Sequence, residues 1–366
     1  MDTSDPVIEF DASGVCDHCH NFDEHVLPNW HTNDRGKTAL ERIVQSIRKA
    51  GSQREFDCIM GMSGGADSSY MLHLVIKEFG LRPLVFHVDG GWNSDVAVSN
   101  IHNMVDKLGL DLFTEVINWE EMKDFQLAYL KSGMPGIDIP QDHAFIATLY
   151  NFADKHKVKY ILNGGNYSTE CVRNPLEFFY YGTDMLLIRD IRRRFSSNSM
   201  PTYPFSGILR HKLYLRYFRG LKVVKPLNYR PYIKEEAIKV LEQEYGWRAY
   251  GQKHFESRFT KFFEGYWLPR RFGFDPRRVQ YSSLILTGQM EREDAMSKLE
   301  SPALDDDDAA REFNFVASKL GISRDELQAF MDSPKKSHRD YRNSEWLFQL
   351  GARFLRAFGS EKSIKR

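Results

Sequence analysis

A serine- and glycine-rich segment is the part of this sequence best suited to chemistry. Met60–Ser69 reads MGMSGGADSS, and the residues from Cys58 to Met60 before it are typical of the end of a buried strand. The apolar spacing from Met71 to Phe79 predicts an amphipathic helix that ends at Gly80. A glycine turn between strand and helix presents backbone N–H groups and the positive end of the helix dipole to an anion. We therefore predict a nucleotide phosphate site made of Ser63, Gly64, Gly65, Asp67, Ser68 and Ser69.

This segment is not the common P-loop, because no lysine follows its glycines. The tripeptide Gly36-Lys37-Thr38 has His31 in place of the first P-loop glycine and no strand before it, so we interpret it as an ordinary helix start. Ser-Gly-Gly-x-Asp-Ser resembles instead the pyrophosphate loop (PP-loop) of ATP pyrophosphatases, which cleave ATP to AMP and pyrophosphate and thereby activate a substrate oxygen. The alternative is a glycine-rich turn without a ligand. We predict that Asp67 acts beside Mg²⁺, with a helix cap as its alternative role.

Polar residues also follow two further predicted strands. Arg82–Val88 is predicted to be a strand that ends before Asp89, and a strand at 159–162 ends before Asn163, Gly164 and Gly165. Since the carboxyl ends of parallel strands meet at one edge of a sheet, we expect these four residues in the same nucleotide crevice. A plain turn role is the alternative for Asp89.

The elements that must position these residues alternate between strand and helix up to about residue 230. This alternation predicts an α/β fold with a doubly wound parallel sheet. After Pro231 the pattern becomes mainly α-helical, with helices predicted at 233–245, 257–266, 277–287, 291–299, 305–320 and 345–358. We predict three regions: an irregular module at 1–35, an ATP-binding domain at 36–230 and a helical C-terminal domain at 231–366.

Composition narrows the class of protein. Lysine plus arginine and aspartate plus glutamate number 50 each, so net charge gives no indication of a nucleic-acid partner. No apolar run approaches the length of a membrane span, and the polar N-terminus does not resemble a signal peptide. Four cysteines do not form the framework of a secreted disulfide-rich protein. We expect a cytoplasmic protein.

Cys16 and Cys19 have the spacing of a zinc knuckle, but a structural zinc ion needs four ligands. A second Cys-x-x-Cys is absent. The candidates to complete the site are His18, His20, His25 and His31 nearby, and Cys171 and His254 far along the chain. Zinc at Cys16 and Cys19 and a loop with two reduced cysteines remain alternatives. Cys171 lacks the Gly-x-Cys-x-Gly surroundings of a glutaminase nucleophile, so any ammonia used here must come from another subunit.

Several segments together resemble the N-acetyl sugar amidotransferase family. They are 1–6, 10–19, 63–69, 87–94, 161–166, 250–254, 256–260 and 282–289. The resemblance implies a PP-loop fold like that of the adenine nucleotide alpha hydrolases, with ATP and Mg²⁺ as ligands. It also implies that the N-acetyl carbonyl of a nucleotide-linked sugar is adenylated and then attacked by ammonia, giving an acetamidino sugar for surface polysaccharide or flagellin glycans. Glutaminase and cyclase-like partners, resembling the histidine-biosynthesis pair, are expected to supply the ammonia.

The phosphates or the anionic groups of the sugar nucleotide need positive charge. Lys253, Arg258 and Lys261, together with Arg277, are our candidates, and solvated helix residues are the alternative. Two other functions stay open at this point. One is a tRNA-thiolation enzyme built on the same loop, which the few cysteines and the zero net charge disfavour. The other is a non-catalytic scaffold for the ammonia-producing pair, which the intact loop disfavours.

Overall fold

The computed structural model describes residues 1–357 of the 366. Its sheet has five parallel strands in the order β3-β2-β1-β4-β5. The strands are β1 (Cys58–Gly61), β2 (Pro83–Asp89), β3 (Leu112–Val116), β4 (Tyr160–Leu162) and β5 (Lys222–Val224). The predicted α/β class with a parallel sheet is therefore confirmed.

Helices connect the strands and cover the sheet. Up to β5 the α-helices are α1 (Asp17–Asn21), α2 (Asp34–Gly51), α3 (Ala66–Lys77), α4 (Asp95–Leu108), α5 (Trp119–Ser132), α6 (Ile139–Lys155), α7 (Tyr167–Glu170) and α8 (Met185–Phe195). Short π- or 3₁₀-helical segments lie at Phe22–Val26, Leu27–Asn29 and Arg210–Phe218. The region predicted to be irregular, 1–35, therefore contains short helical turns.

The C-terminal region is helical, as predicted. It contains α9 (Lys234–Tyr245), α10 (Arg258–Phe262), α11 (Arg277–Leu286), α12 (Arg292–Glu300), α13 (Asp306–Leu320), α14 (Arg324–Asp332) and α15 (Glu345–Ala357). A π-helical segment, Phe263–Phe272, continues α10, and 3₁₀ turns lie at Pro226–Tyr229 and His338–Asp340. Residue 358, at which the last predicted helix ends, and the remainder of the predicted C-terminal domain to 366 lie outside the described residues.

Among the elements that were not predicted, β5 and α14 were missed for identifiable reasons. β5 has only three residues at the edge of the sheet, and Lys222 and Val223 are exposed, so it lacks an apolar alternation. α14 has a single fully buried apolar side chain, that of Leu327, which gives a weak periodic signal. The predicted domain boundaries at 35 and 230 stay predictions.

The direction of the strand order reverses between β1 and β4. From β1 the chain moves to β2 and β3 on one side, whereas β4 and β5 lie on the other. In doubly wound sheets the crevice at such a point, outside the carboxyl ends of the strands, is where ligands bind. The three buried residues Cys58, Ile59 and Met60 lead the chain directly into this crevice.

No helix of the described part of the chain is long and apolar enough to cross a membrane.

Candidate active site

The two glycines of the turn between β1 and α3 have different structural roles. Gly64 has a φ of +84°, a left-handed conformation that side chains with a Cβ rarely adopt. A Cβ on Gly65 would lie 1.9 Å from the Glu256 Oε1 atom, so the carboxylate of Glu256 occupies the space that any side chain would need. Gly64 therefore permits the turn, and Gly65 permits the close approach of Glu256 from the C-terminal region.

The N-terminus of α3 is open to an anion. Gly65 is its N-cap, and no side chain of the described residues caps the first N–H groups. The hydroxyls of Ser63 and Ser68 lie 3.1 Å apart at this end. An uncapped helix start with two hydroxyls beside it is suited to phosphate oxygens.

Residues from beyond the sheet fix the conformation of this turn. The indole N–H of Trp247 and the hydroxyl of Tyr250 both donate to the carbonyl oxygen of Gly64, at 2.9 and 2.8 Å. Asn100 in turn donates its Nδ2 to the Tyr250 oxygen at 2.9 Å. A flexible glycine turn is thereby held in one conformation before any ligand binds.

Asp67 lies at the centre of a charged network. Lys253 Nζ is 3.3 Å from Asp67 Oδ2 and 2.7 Å from Glu170 Oε1, and the Tyr232 hydroxyl donates to Asp67 Oδ1 at 2.5 Å. Burial opposes the charge on Asp67, but Lys253, the Tyr232 hydroxyl and Lys234 together lower its pKa. The pKa of Lys253 is raised, since Asp67 and Glu170 outweigh the opposing effect of burial. Both groups are therefore charged at neutral pH.

These residues line a cavity of about 360 Å³, which we call the nucleotide cavity. Its wall brings together the carboxyl ends of β1 and β4, the start of α3 and the segment 247–256. Of the predicted residues, Ser63, Gly65, Asp67, Ser68, Asn163, Gly164, Gly165 and Lys253 line it. The crevice predicted at the two strand ends is thus present.

Three predicted nucleotide ligands, Gly64, Ser69 and Asp89, do not line this cavity. Gly64 belongs to the turn beside it, where its carbonyl oxygen accepts from Trp247 and Tyr250. Ser69 is fully buried on the core face of α3, and its hydroxyl has no hydrogen-bond partner among the described residues. Asp89 accepts hydrogen bonds from the backbone N–H of Gly91 at 2.7 Å and from Asn93 Nδ2 at 3.1 Å, which is the turn role kept as its alternative.

The predicted cations Arg258 and Lys261 also lie elsewhere. Both pair with Glu312 on α13, at 3.0 and 3.1 Å, and so join α10 to the C-terminal helices. Arg277 is buried, with Asp275 and the carbonyl oxygens of Lys298 and Ser301 as partners. These three side chains serve the packing of the helical region.

Sequence reasoning gave no role to several residues of the cavity. Glu170, Lys234, Trp247, Tyr250 and Glu256 line the cavity, and Tyr232 donates a hydrogen bond to Asp67, which lines it. Tyr250 and Glu256 belong to the segments that carry the family resemblance, which was a usable signal. Tyr232 and Lys234 lie at an ordinary helix start, where nothing local distinguishes them.

A second cavity of about 470 Å³ adjoins the first, and we call it the carboxylate cavity. The two share wall residues, among them Ser63, His254 and Glu256. Its lining contains four acidic side chains, Asp138, Asp142, Glu256 and Glu264, and no lysine or arginine.

The described residues do not fit a four-ligand zinc site at Cys16 and Cys19. Their sulfur atoms are 3.5 Å apart, but His18 and His20 are engaged with Asp5 and Asp11. Across residues 1–357 no group of three or more His, Cys, Asp or Glu side chains is arranged to hold a metal ion. Burial and the neighbouring Cys16 raise the pKa of Cys19 to about 11. Zinc binding at Cys16 and Cys19 stays a prediction.

Two parts of the chain match models of known protein families. Residues 57–132 match the family model of the phosphoadenosine phosphosulfate reductase domain. Residues 256–355 match the model described as LPS biosynthesis protein WbpG-like, C-terminal domain. No curated protein matches the chain in sequence.

Solved structures align with the chain at low similarity. NMN synthetase from Francisella tularensis aligns at a TM-score of 0.32 and 13% identity, covering 78% of this chain and 93% of that one. NH3-dependent NAD synthetase from Campylobacter jejuni aligns at 0.30 and 14%, covering 70% and 98%. U34-tRNA thiolase NcsA from Methanococcus maripaludis aligns at 0.30 and 13%, covering 71% and 82%.

The two family models show that the chain joins a PP-loop domain to a WbpG-like C-terminal domain, and the family resemblance predicted from its sequence is confirmed.

Proposed function

We propose that this protein is an ATP-dependent, AMP-forming amidotransferase that converts the N-acetyl group of a nucleotide-linked sugar into an acetamidino group for LPS synthesis. One observation carries the proposal. Glu256, the first residue of the WbpG-like segment, packs against Gly65 of the PP-loop, so the two family-defining parts of the chain form a single cavity.

The nucleotide cavity suits ATP with Mg²⁺. We assign the phosphates to the uncapped start of α3, to the hydroxyls of Ser63 and Ser68, and to Lys253. Asp67 and Glu256 offer carboxylate oxygens, the ligand type that Mg²⁺ prefers. When bound, the ion would neutralise charge that develops on the phosphates during transfer.

The proposed reaction has two steps. The amide oxygen of the sugar attacks the α-phosphorus of ATP, the bond to pyrophosphate breaks, and an O-adenylyl imidate forms. Ammonia then adds to the imidate carbon, and AMP leaves with the electron pair of the C–O bond. The protein contributes mainly by positioning the reactants and by electrostatic stabilisation, with Lys253 as the cation closest to the loop.

Ammonia is proposed to come from glutaminase and cyclase-like partners. Among the described residues the cysteines do not line the nucleotide cavity. Cys171 is buried, which raises its pKa to about 11, so it is not an activated glutaminase nucleophile. The same facts weigh against tRNA thiolation at this loop, since that chemistry usually uses a cysteine or a cysteine-bound cluster beside the nucleotide.

The test combines the purified protein with ATP, Mg²⁺, ammonium chloride and a UDP-linked diacetamido uronic acid. We expect AMP and pyrophosphate to form in step with a product in which an NH group has replaced the amide oxygen, as mass spectrometry detects. Formation of ADP, or AMP formation without the amidine, would contradict the proposal. The matched control is Asp67→Asn, which keeps the side-chain volume and removes the charge.

A further inference from the structure

Positive charge is concentrated in one stretch of this neutral chain. Residues 191–234 contain eleven lysines and arginines and no aspartate or glutamate, although residues of each sign number 50 in the whole sequence. A segment with one sign of charge can bind an anionic surface even when the protein has no net charge. The middle of this stretch, 209–222, therefore has the charge that an anionic partner requires.

Large apolar side chains project into solvent from the same segment. Leu209, Leu213, Tyr214, Tyr217 and Phe218 are between 43% and 81% exposed, and the rings of Tyr214 and Phe218 lie 6.4 Å apart. Their spacings of four and five place them on one face of the π-helical segment Arg210–Phe218, because the hydrogen bonds of a π-helix join residues five apart. We call these five side chains the outer face. An exposed apolar patch of this kind indicates a binding surface.

The opposite side of the segment fixes it to the rest of the protein. Leu215 is fully buried in the core beside the sheet. Arg210 and Arg219 both pair with Asp154 at the end of α6, at 3.2 and 2.6 Å. The outer face is therefore presented by an anchored element, and these two arginines already have an acidic partner.

Two other cations beside the outer face have no such partner. Arg216 is exposed within the segment, and Lys222 is exposed on β5, four residues after Phe218. Within the described residues neither forms a salt bridge, and their nearest charge-sensitive contacts are the rings of Tyr217 and Tyr160, at 5.7 and 5.6 Å. Apolar side chains next to available cations match the two components of a lipid surface, the acyl chains and the anionic headgroups.

The outer face lies away from the nucleotide cavity. The segment that carries it ends directly before β5, and Asp154 holds it beside the start of β4. The nucleotide cavity is at the other edge of the sheet, at the carboxyl ends of the strands. A surface that is bound at the amino ends leaves the cavity open to its reactants.

We propose that the outer face, with Arg216 and Lys222 beside it, binds the surface of an anionic phospholipid bilayer. The apolar side chains enter the headgroup region, and the two cations contact lipid phosphates. RNA fits this surface less well, because its exposed leucines offer no aromatic plane on which a base can stack. The inference goes beyond the proposed function and does not depend on it.

The binding test uses the full chain and lipid vesicles. Protein is mixed with vesicles of phosphatidylethanolamine and phosphatidylglycerol, or of phosphatidylcholine alone, and bound protein is measured by flotation. We expect at least about tenfold stronger partitioning into the phosphatidylglycerol vesicles, since each cation near an anionic surface contributes about a fivefold factor. Salt at about 0.5 M should remove most of this preference, because it screens the charges. Equal binding to both kinds of vesicle, or binding to neither, would overturn the proposal.

Charge variants test the contribution of the two cations. Arg216→Gln combined with Lys222→Gln should weaken partitioning into the anionic vesicles roughly 25-fold. Arg292→Gln, at an exposed arginine of α12, is the matched control and should have no effect. An equal loss in the control would show that general charge, and not this surface, is responsible.

Apolar variants test insertion of the outer face. Leu213→Ser combined with Phe218→Ser should weaken partitioning by at least about tenfold, because less apolar surface is removed from water. Met296→Ser, at an exposed methionine of α12, is the control. A dye that responds to polarity, attached to Phe218→Cys, should shift its emission to the blue on vesicle binding, whereas the same dye on Met296→Cys should not. Binding without this shift would contradict insertion.

Two other partners are distinguished by the same variants. A tRNA gel shift that is lost in the charge variant, without vesicle binding by the unmodified protein, would assign the surface to RNA and overturn the proposal. Light scattering that shows a dimer, converted to a monomer by Leu213→Ser with Phe218→Ser, would in the same case assign it to a second copy of the chain. AMP formation in solution should be unchanged in all these variants, so failure of the proposed reaction and failure of bilayer binding are observed separately.

Discussion

Aspartates in the two adjoining cavities have pKa values that are shifted in opposite directions. In the nucleotide cavity, Asp67 lies against Lys253 and Tyr232, and its pKa is lowered. In the carboxylate cavity, Asp138 and Asp142 lie near each other without a neighbouring lysine or arginine, and both pKa values are raised.

This difference lies in the charge that each cavity presents to a ligand. The nucleotide cavity supplies its own cations and is prepared for anionic phosphates. In the carboxylate cavity, Glu264 lies 3.0 Å from His254 and raises the pKa of that histidine to about 9 against the effect of burial, whereas no described lysine or arginine lines the wall beside Asp138 and Asp142. Ser63 and Glu256 line both cavities, so the two cavities are adjacent.

The strongest test of this comparison removes the charge of Asp67. In Asp67→Asn, Lys253 keeps Glu170 as a partner, but the cavity loses a carboxylate suited to Mg²⁺. We expect AMP formation to fall by about 100- to 1,000-fold, the loss typical when a group that stabilises transition-state charge is removed. Asp106→Asn is the control, and circular dichroism checks that both variants are folded. Turnover within twofold of the unmodified protein would contradict the role given to Asp67.

A steric change tests the contact between the PP-loop and the WbpG-like segment. In Gly65→Ala the new Cβ would lie 1.9 Å from Glu256 Oε1, so the carboxylate must move. Since a small displacement of groups around the reacting atoms has a large effect on rate, we expect about a 100-fold loss of kcat/KM. Gly182→Ala is the matched control, because its Cβ would have no neighbour closer than 4.0 Å. Equal activity of the two variants would show that the contact is incidental.

A smaller effect is expected at the hydrogen bonds that hold the turn. Tyr250→Phe removes one of the two donors to the Gly64 carbonyl and leaves the Trp247 indole in place. The loss of one hydrogen bond, about 0.5–1.5 kcal/mol, should raise the Kd for ATP by roughly 2- to 12-fold. Tyr217→Phe, at an exposed tyrosine, serves as the control in the same calorimetric titration. A change in kcat with an unchanged Kd would place the Tyr250 hydroxyl in the chemistry instead.

The sequence was sufficient to predict the parts of the site that are continuous along the chain. The PP-loop and Asn163–Gly165 follow buried strands, and the carboxyl ends of parallel strands necessarily meet. Ser69 was assigned to the wrong face of its helix, although its spacing of three from Leu72 places both on the buried side. The spacing of apolar residues along α3 was therefore sufficient to predict that Ser69 is buried.

The remaining residues could not be predicted, because their contacts join distant parts of the chain. Tyr232 and Asp67 are 165 positions apart. Whether a basic side chain faces the cavity or another helix depends on the packing of α10 against α13, which separates Lys253 from Arg258 and Lys261. The carboxylate cavity combines α6 with the segment 254–264, and no local pattern links them.

The smallest predicted effect is on stability, and its sign differs between the cavities. The folded-state pKa of Asp142 is raised from 3.8 to about 6, so folding is favoured while the group is protonated, and this stability is lost as the pH rises from about 4 to about 6. Asp142→Asn removes the penalty at neutral pH. We expect an increase of up to about 1 kcal/mol in the free energy of unfolding, since solvent in the cavity screens the charge.

Asp67 should show the opposite sign. Its folded-state pKa is lowered, so its contribution is present above the unfolded pKa and is lost as the pH falls through the folded one. Asp67→Asn should therefore destabilise the fold at pH 7. Denaturant titrations of both variants at pH 4 and pH 7 measure the two effects together. Destabilisation by Asp142→Asn at pH 7 would mean that the protein itself already satisfies this carboxylate. The contrast between the two cavities would then be lost.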